Sequence, residues 1–190
     1  MKLKKCRICN GNSLTDYLNL GLTPAADAFI KGELKSLNDP VYPLEVCLCD
    51  DCGISQLNYT VDPKILFQND YPYESSTTKT GRLHFDHFGE SVVKKAELSS
   101  DDLVIDVGSN VGVLLGAYQK RGCKVLGIEP SKHIAASANE NGVETINDFI
   151  TPDLAKKIVS NKGQASVINI TNVFAHIDDL ESLMKAVDSL

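Results

Sequence analysis

The chain has 190 residues, of which 43% are hydrophobic and 23% are charged, and its formal net charge is −6 at pH 7. This composition is typical of a globular protein and excludes an intrinsically disordered chain. An acidic chain offers no basic surface to a phosphate backbone, so we expect no nucleic-acid partner.

The expected compartment is the cytoplasm. No apolar segment approaches the roughly 20 residues of a membrane span, and the N-terminal segment MKLKKCRICN lacks the apolar region of a signal peptide. We therefore expect no membrane partner. In the cytoplasm, the six cysteines are more often reduced or metal-bound than paired in disulfides.

Two Cys-x-x-Cys pairs, Cys6 with Cys9 and Cys49 with Cys52, dominate the first part of the chain. Each pair can give two thiolates from one tight turn to a tetrahedral Zn²⁺ ion. Asn or Gly follows each pair, and these residues tolerate the left-handed backbone of a metal knuckle. A redox pair and buried free cysteines are the alternatives. Four thiolates close the coordination shell, which favours structural zinc.

Cys47 lies two residues before Cys49 and would share a strand face with it. It is expected near the metal, either as a substitute ligand or, the interpretation that we favour, as a small buried residue beside the site.

The rest of this unit is expected to be small and β-rich. Segments 41–48 and 54–59 predict a hairpin whose turn is the second knuckle. Segment 18–30 predicts a loop that carries Leu20, Leu22 and Phe29 into a small core. A unit of about 60 residues has little core, so a metal ion is expected to stabilise it.

Segment 70–76, DYPYESS, is polar, aromatic and interrupted by proline, which predicts a loop. Its tyrosines, Tyr71 and Tyr73, either pack or contribute to a site. From about Lys79 the apolar residues follow a helical spacing. Two histidines on this predicted helix, at positions 84 and 87, are expected at the surface or in packing.

From residue 103 onwards, strands and helices alternate regularly. The predicted strands are 103–107, 124–129, 143–147 and 165–170, and the helices begin near Val111, Ser131, Thr151 and Asp178. Four consecutive βα units predict a parallel sheet with helices on both faces.

The first of these strands ends at Asp106 and leads through Gly108 and Gly112 into a helix. Glycines let the backbone approach a nucleotide-like ligand, and the start of the helix offers free N–H groups. The spacing departs from the G-x-G-x-x-G pattern of nicotinamide dinucleotide sites, which disfavours a nicotinamide-dependent enzyme.

Acidic residues follow the next two strands. Glu129 is expected to accept both ribose hydroxyls, and Asp148 to accept from an adenine amino group, with Phe149 stacking or packing nearby. Asp106 can balance a positively charged amino-acid group. Together they favour S-adenosylmethionine, which has an adenosine and a zwitterionic tail but no pyrophosphate. For any single glycine, the alternative is a tight strand–helix turn.

An ordered set of motifs extends this interpretation. They are Cys6-x-x-Cys9, Tyr42-Pro43-Leu44-Glu45, Cys49-x-x-Cys52-Gly53, Tyr71-x-Tyr73-x-Ser75-Ser76, Val107-Gly108-Ser109-Asn110, Gly127-Ile128-Glu129-Pro130 and Asn172-Val173-Phe174-Ala175-His176. With them the chain resembles the S-adenosylmethionine-dependent sugar C-methyltransferases that carry an N-terminal zinc-binding domain.

The resemblance implies methyl transfer to a carbon next to a keto group of a nucleotide-linked deoxysugar. It implies that Tyr73 and His176 face the reaction centre, with a loop-orienting role as the alternative for His176. Further cofactor contacts are implied by the motif positions Ser109, Asn110, Pro130, Asn172 and Val173.

Two features depart from the family pattern. Val111 stands where the family usually has an acidic residue, and the family continues well beyond residue 190. Ending there would leave segment 166–170 as an unpaired apolar edge. We therefore expect either a fragment of a longer protein or a short form whose edge is covered by self-association or by a partner chain.

The expected fold class is α/β. A zinc-binding β domain (1–65) precedes a linker loop and helix (66–100) and the N-terminal part of a Rossmann-like class I methyltransferase sheet (101–190). The expected function is methylation of a nucleotide-linked keto-deoxysugar, with S-adenosylmethionine and structural zinc as cofactors. The alternative is a non-catalytic zinc- and cofactor-binding module that needs a partner chain or a missing C-terminal half.

Overall fold

The structure, a computed structural model, describes residues 1–29, 40–68 and 71–190. Ile30 and Asp70, which belong to two of the predicted loops, lie outside these ranges. The first sheet has three antiparallel strands in the order β1-β2-β3. They are β1 (Leu14–Pro24), β2 (Val41–Cys49) and β3 (Ser55–Leu57). The predicted hairpin is confirmed, because β2 pairs with β3 across the turn that contains Cys52.

The loop predicted over 18–30 is wrong for most of its length, because residues 14–24 form β1, the longest strand of this sheet. Its leucines do not enter a core: Leu20 and Leu22 are 58% and 67% exposed, and Phe29 is 74% exposed. Gly21, with φ of +81°, lies in a register irregularity between Asn19 and Leu22. Such a bulge lets a strand continue through a glycine that otherwise signals a turn.

A short π-helical turn (Lys64–Gln68) precedes helix α1 (Lys79–Lys95). Thr78 caps α1 by accepting a hydrogen bond from the Gly81 N–H through its side chain, which satisfies one of the free donors of the first turn. The helix predicted from Lys79 is confirmed. Its apolar residues Phe85, Phe88 and Val92 pack against a buried cluster formed by residues of the second sheet and the helix that follows its first strand.

The second sheet is parallel, in the order β6-β5-β4-β7. Its strands are β4 (Leu103–Val107), β5 (Lys124–Ile128), β6 (Thr145–Ile146) and β7 (Val167–Asn169). Its helices are α2 (Val113–Gln119), α3 (Lys132–Glu140), α4 (Pro152–Lys162) and α5 (Leu180–Ser189). The predicted alternation of four strands and four helices is confirmed.

Residues of β4 separate two cores. Ile105 and Val107 contribute to a core with residues of α4 and α5 such as Ile158 and Ala186. Val104, on the opposite face of the strand, packs with residues of α1 and α2. Successive side chains of a strand point to opposite faces, so a fully buried β4 requires cover on both sides.

Strand β7 lies at one end of the sheet, and among the described residues it pairs with β4 alone. The expected unpaired edge is therefore present in the described part of the chain. No helix of the described residues is both long and apolar enough to span a bilayer.

Candidate functional site

The carboxyl ends of β4, β5 and β7 form the rim of the candidate site. In register, Asp106 of β4 lies between Gly127 of β5 and Asn169 of β7. The turn after β4 is bound to β5, since Gly108 and Ser109 donate their N–H groups to the Ile128 carbonyl at 2.8 and 3.2 Å. The parallel arrangement thus brings the ends of three strands together, as expected for a ligand site in an open α/β sheet.

Glu129 follows β5 and is buried, at 4% exposure. Its Oε2 accepts from the Asn110 N–H at 3.0 Å, and its Oε1 accepts from the Ser131 N–H at 2.9 Å. Burial raises the pKa of Glu129, while these two donors oppose the shift. An ionised carboxylate has about four acceptor sites, so two are left for a diol. The two remaining acceptor sites of Glu129 fit the predicted contact with two ribose hydroxyls.

Asp106 is also 4% exposed, but its Oδ1 has no hydrogen-bond partner among the described residues. Burial and, next, the charge of Glu129 raise the pKa of Asp106 to about 8. Ser109 Oγ and Asn169 Nδ2 are likewise buried without a partner in the described residues. Buried polar groups are normally satisfied. One of these groups accepts, one donates and the hydroxyl can do both, so together they fit a ligand group with both donors and acceptors, such as a zwitterionic amino-acid tail.

Two glycines of the turn have no room for a side chain. Gly108 has φ of +70°, and a Cβ there would lie 2.4 Å from Val173 Cγ2. Gly112 has φ of +79°, and a Cβ there would lie 2.8 Å from Val143 Cγ1. The structure therefore brings Gly108 and Val173, both predicted cofactor residues, into direct contact.

Asn110 lies within this turn, with φ of +52°. Its side-chain Oδ1 accepts from the N–H groups of Ser75 and Val111, at 2.8 and 2.9 Å, and its Nδ2 donates to the Tyr73 carbonyl at 2.9 Å. The glycine turn is thus bound to the loop predicted over 70–76.

The segment after β6 lies next to Pro130. Asn147 Nδ2 donates to the carbonyls of Glu129 and Pro130, each at 2.9 Å. Asp148 is exposed, and its Oδ1 accepts from the Phe149 N–H at 2.8 Å. The other carboxylate oxygen of Asp148 has no partner among residues 1–29, 40–68 and 71–190, which leaves it available to the predicted adenine contact.

An aromatic row joins the two predicted catalytic residues. Ring centroids are 6.4 Å apart for Tyr73 and Tyr71, 5.6 Å for Tyr71 and Phe67, and 6.1 Å for Phe67 and His176. Tyr73 is 53% exposed, and His176 ends the short 3-10 turn Phe174–His176 after β7. Asn172, with φ of +58°, precedes that turn.

Three residues near the rim were not predicted from the sequence: Asn147, Asn169 and Tyr118. Tyr118 is fully buried and its hydroxyl donates to Asn169 Oδ1 at 3.4 Å. An asparagine in the apolar segment Ser-Val-Ile-Asn-Ile was the available signal for Asn169, because a buried amide needs partners.

The four predicted metal ligands converge. The Sγ atoms of Cys6, Cys9, Cys49 and Cys52 all lie within 4.8 Å of one another. Cys6 and Cys52 are 3.7 Å apart at sulfur, and Cys9 and Cys49 are 3.6 Å apart. A tetrahedral zinc site with Zn–S bonds of about 2.3 Å has sulfur atoms about 3.8 Å apart. The thiol set therefore fits zinc.

Backbone N–H groups support two of the sulfurs, from Ile8 to Cys6 and from Gly11 to Cys9, each at 3.4 Å. Cys47 is fully buried and is not part of the four-sulfur group found in the described residues. This agrees with the interpretation of Cys47 as a small packing residue.

The fold and the rim define a Rossmann-like nucleotide-binding domain that follows a four-cysteine metal-binding unit. Residues 86–190 match the family model "Methyltransferase domain", and residues 6–67 match the model "Putative zinc binding domain". Because the first match covers more than half of the chain, the chain belongs to the methyltransferase family. Both matches agree with the expected cofactors, S-adenosylmethionine and structural zinc.

The chain is similar to C-methyltransferase NovU of Streptomyces niveus, with 29% identity over 188 residues. The match covers 99% of this chain and 44% of NovU, so the chain spans less than half the length of that relative.

Two solved structures are similar at lower identity. The plantazolicin methyltransferase BpumL, in complex with a pentazolic desmethylPZN analog and SAH, is 20% identical with a TM-score of 0.45, covering 60% of this chain and 44% of that one. Magnesium protoporphyrin IX methyltransferase from Synechocystis PCC 6803, with bound SAM, is 18% identical with a TM-score of 0.42, covering 57% and 53%.

Proposed function

We propose that this chain is a C-methyltransferase, or the N-terminal part of one with catalytic residues of its own, whose substrate is a nucleotide-linked keto-deoxysugar. The observation that carries the proposal is the pair of buried carboxylates at one rim, Asp106 and Glu129, beside a glycine turn. The similarity to a C-methyltransferase and the motif resemblance support the type of acceptor atom and the sugar. The cysteine cluster favours a reducing compartment, the cytoplasm.

Each rim residue has a proposed role. Glu129 binds the ribose hydroxyls, Asp106 balances the charge of the amino-acid tail, and Asp148 accepts from the adenine, with Phe149 and Pro130 beside it. The glycine turn (Gly108, Ser109 and Gly112) and the segment after β7 (Asn172 and Val173) surround the donor. The donor supplies an electrophilic methyl group when bound.

On the substrate side, we propose that the Tyr73 hydroxyl donates to the keto oxygen and that His176 orients or protonates the same group. Methyl transfer to carbon needs such a donor, because a base must remove the carbon-bound proton and the enolate that forms must be stabilised. The enolate carbon would then bond to the methyl group as the S–CH3 bond breaks, leaving S-adenosylhomocysteine. The aromatic row between Tyr73 and His176 supports a common substrate surface. We further propose the domain limits 1–65, 66–100 and 101–190.

The alternative is a binding module without catalytic activity of its own. It is favoured by β7, which pairs with β4 alone among the described residues, and by the 44% coverage of the relative. In that case a partner chain or a C-terminal half supplies the remaining strands and the catalytic base.

The test measures binding of S-adenosylhomocysteine by calorimetry. We expect saturable binding to the wild-type chain, at least tenfold weaker in Glu129→Ala, because each hydrogen bond to a charged group is worth about 1.5–3 kcal/mol. Glu144→Ala is the matched control, because Glu144 is exposed and paired with Lys162 at 2.5 Å, so we expect it to leave the affinity unchanged.

Binding of NAD in place of S-adenosylhomocysteine would contradict the proposed cofactor. Incubating the chain with labelled methyl donor and a nucleotide-linked keto-deoxysugar separates the two functions. Label on a sugar carbon supports the enzyme, whereas binding without turnover, restored when the rest of the protein is added, supports the module.

A further inference from the structure

Asn110 is the residue through which the glycine turn contacts the loop that carries Tyr73. It is 9% exposed, and both its backbone N–H and its side chain form hydrogen bonds to distant segments. Its backbone N–H donates to Glu129 Oε2 at 3.0 Å, while its side chain bonds to the backbone on both sides of residue 74. One residue therefore connects the proposed ribose carboxylate to the proposed substrate loop.

The side-chain contacts have the pattern of a neighbouring strand. The amide donates to the Tyr73 carbonyl and accepts from the Ser75 N–H, which are the two backbone groups that a strand partner would bind. With Val111 as a second donor, both lone pairs of Oδ1 are used. This leaves the Asn110 side chain with a single N–H for any other ligand.

We propose that Asn110 is a positioning residue that couples occupancy of the donor site at Glu129 to the order of the loop 71–78. The inference rests on the proposed function, and it replaces a direct cofactor contact of the Asn110 side chain with an indirect effect on Tyr73. A ligand that orders Glu129 also orders the Asn110 backbone, and the two amide bonds transmit that order to the loop.

The left-handed backbone provides a clean test variant. Asn110→Gly removes the amide group and keeps both the backbone N–H to Glu129 and an unstrained φ. Glu97→Gly is the matched control, because Glu97 also has a left-handed backbone, with φ of +52°, and lies in the exposed turn between α1 and β4.

The experiment follows hydrogen exchange of loop 71–78 by mass spectrometry, with and without S-adenosylhomocysteine. In the wild-type chain and in Glu97→Gly, we expect the ligand to slow exchange of the loop. In Asn110→Gly, we expect loop exchange in the free protein to be about thirtyfold faster, because two hydrogen bonds worth about 1 kcal/mol each are lost. In this variant, we expect the ligand to slow hydrogen exchange around Glu129 as before but to have no effect on hydrogen exchange of the loop.

A second variant guards against misfolding of the first. Asn110→Asp keeps the acceptor for the Ser75 N–H and loses the donor to the Tyr73 carbonyl, so we expect an intermediate effect. If the ligand protects the loop equally in Asn110→Gly and in the wild type, the coupling role is wrong, because a purely structural contact leaves the ligand effect unchanged. If the wild type does not bind S-adenosylhomocysteine, the proposed function fails, whereas exchange in the free proteins still tests whether the Asn110 side chain orders the loop.

Discussion

Two buried carboxylates of the candidate site are stabilised to different degrees. Glu129 accepts two backbone N–H groups, whereas Asp106 Oδ1 has no partner among the described residues. A buried carboxylate without partners is unfavourable as an anion. Within the part of the chain that the structure describes, Glu129 and Tyr118 are the titratable groups that interact with Asp106, and neither provides a positive charge to it.

Replacing Asp106 with Asn is expected to remove a pH dependence of stability. The pKa of Asp106 is raised from 3.8 to about 8 by burial, then by the charge of Glu129. The folded chain then holds a proton that the unfolded chain has lost, so stability falls as the pH rises between these values. Between pH 5 and pH 8, we expect the wild type to lose at least about 1.4 kcal/mol relative to Asp106→Asn, the free energy of one pKa unit. Urea unfolding of both proteins at the two pH values, without cofactor, measures this difference in the free energy of unfolding.

Asp102, at the other end of β4, is the control for this prediction. The Ser166 hydroxyl, followed by the N–H and hydroxyl of Ser99, lowers the pKa of Asp102 to about 2. Its contribution to stability is therefore complete at pH 5 and is lost only in acid. We expect Asp102→Asn to shift stability equally at pH 5 and pH 8. An Asp106→Asn variant with the same pH slope as the wild type contradicts the prediction.

The turn between β4 and α2 combines backbone strain with close packing. Gly108 requires a left-handed backbone, and its Cα faces Val173 on the segment after β7. Gly122, at the end of the next helix, has a similar φ of +93° but open space around it. A side chain at Gly122 would therefore meet only an unfavourable backbone conformation, whereas one at Gly108 would also clash with a neighbour.

We expect Gly108→Ala to destabilise the chain more than Gly122→Ala. Both variants place alanine in a left-handed backbone, at a cost of about 1–2 kcal/mol. Gly108→Ala adds a clash with Val173, at a cost of about 1–3 kcal/mol. Urea midpoints measure both, and adding Val173→Ala should recover only the clash. Equal urea midpoints for the two alanine variants would show that the clash with Val173 does not change the free energy of unfolding.

The zinc-binding unit contacts the segment that carries His176. Arg7, between the ligands Cys6 and Cys9, places its Nε 2.8 Å from Asp178 Oδ1. Thr60 donates to Asp178 Oδ2 at 3.4 Å. Arg7, which lies between two of the predicted metal ligands, thus pairs with Asp178, two residues after His176.

Removal of zinc with a chelator is expected to loosen this segment. Without the metal, the knuckle no longer fixes Arg7, so hydrogen exchange in residues 172–178 should increase. In Asp178→Asn the ion pair is already weakened, and chelation should have a smaller effect. Glu181→Gln is the control, because it changes the same charge in an exposed pair with Lys185, at 2.6 Å, away from the zinc unit. Unchanged exchange after chelation of the wild type contradicts the prediction.

Local sequence patterns were sufficient for most of the fold. Apolar segments at regular intervals, Thr151 with Pro152 at the start of α4, and Gly122 and Gly142 after α2 and α3 predicted the βα units correctly, because helix ends and strand periods are local properties. The edge strand β1 was missed, because the turn signal of Gly21 lies in a bulge, and only pairing with β2 makes that segment a strand.

In the candidate site, too, local patterns predicted some features and the tertiary structure decided the others. The position of Asp106 and Glu129 at one rim was predictable, because parallel strands bring their carboxyl ends to one edge of the sheet. The convergence of the four cysteines was predictable from their spacing. The pairing of Asp106 with Asn169, the contact of Gly108 with Val173 and the bonds from Asn110 to the loop at 73–75 were not. These contacts join segments that lie far apart in the chain, and no local pattern specifies their register or distance. Packing of the sheet against α1 and the segment after β7 brings them together.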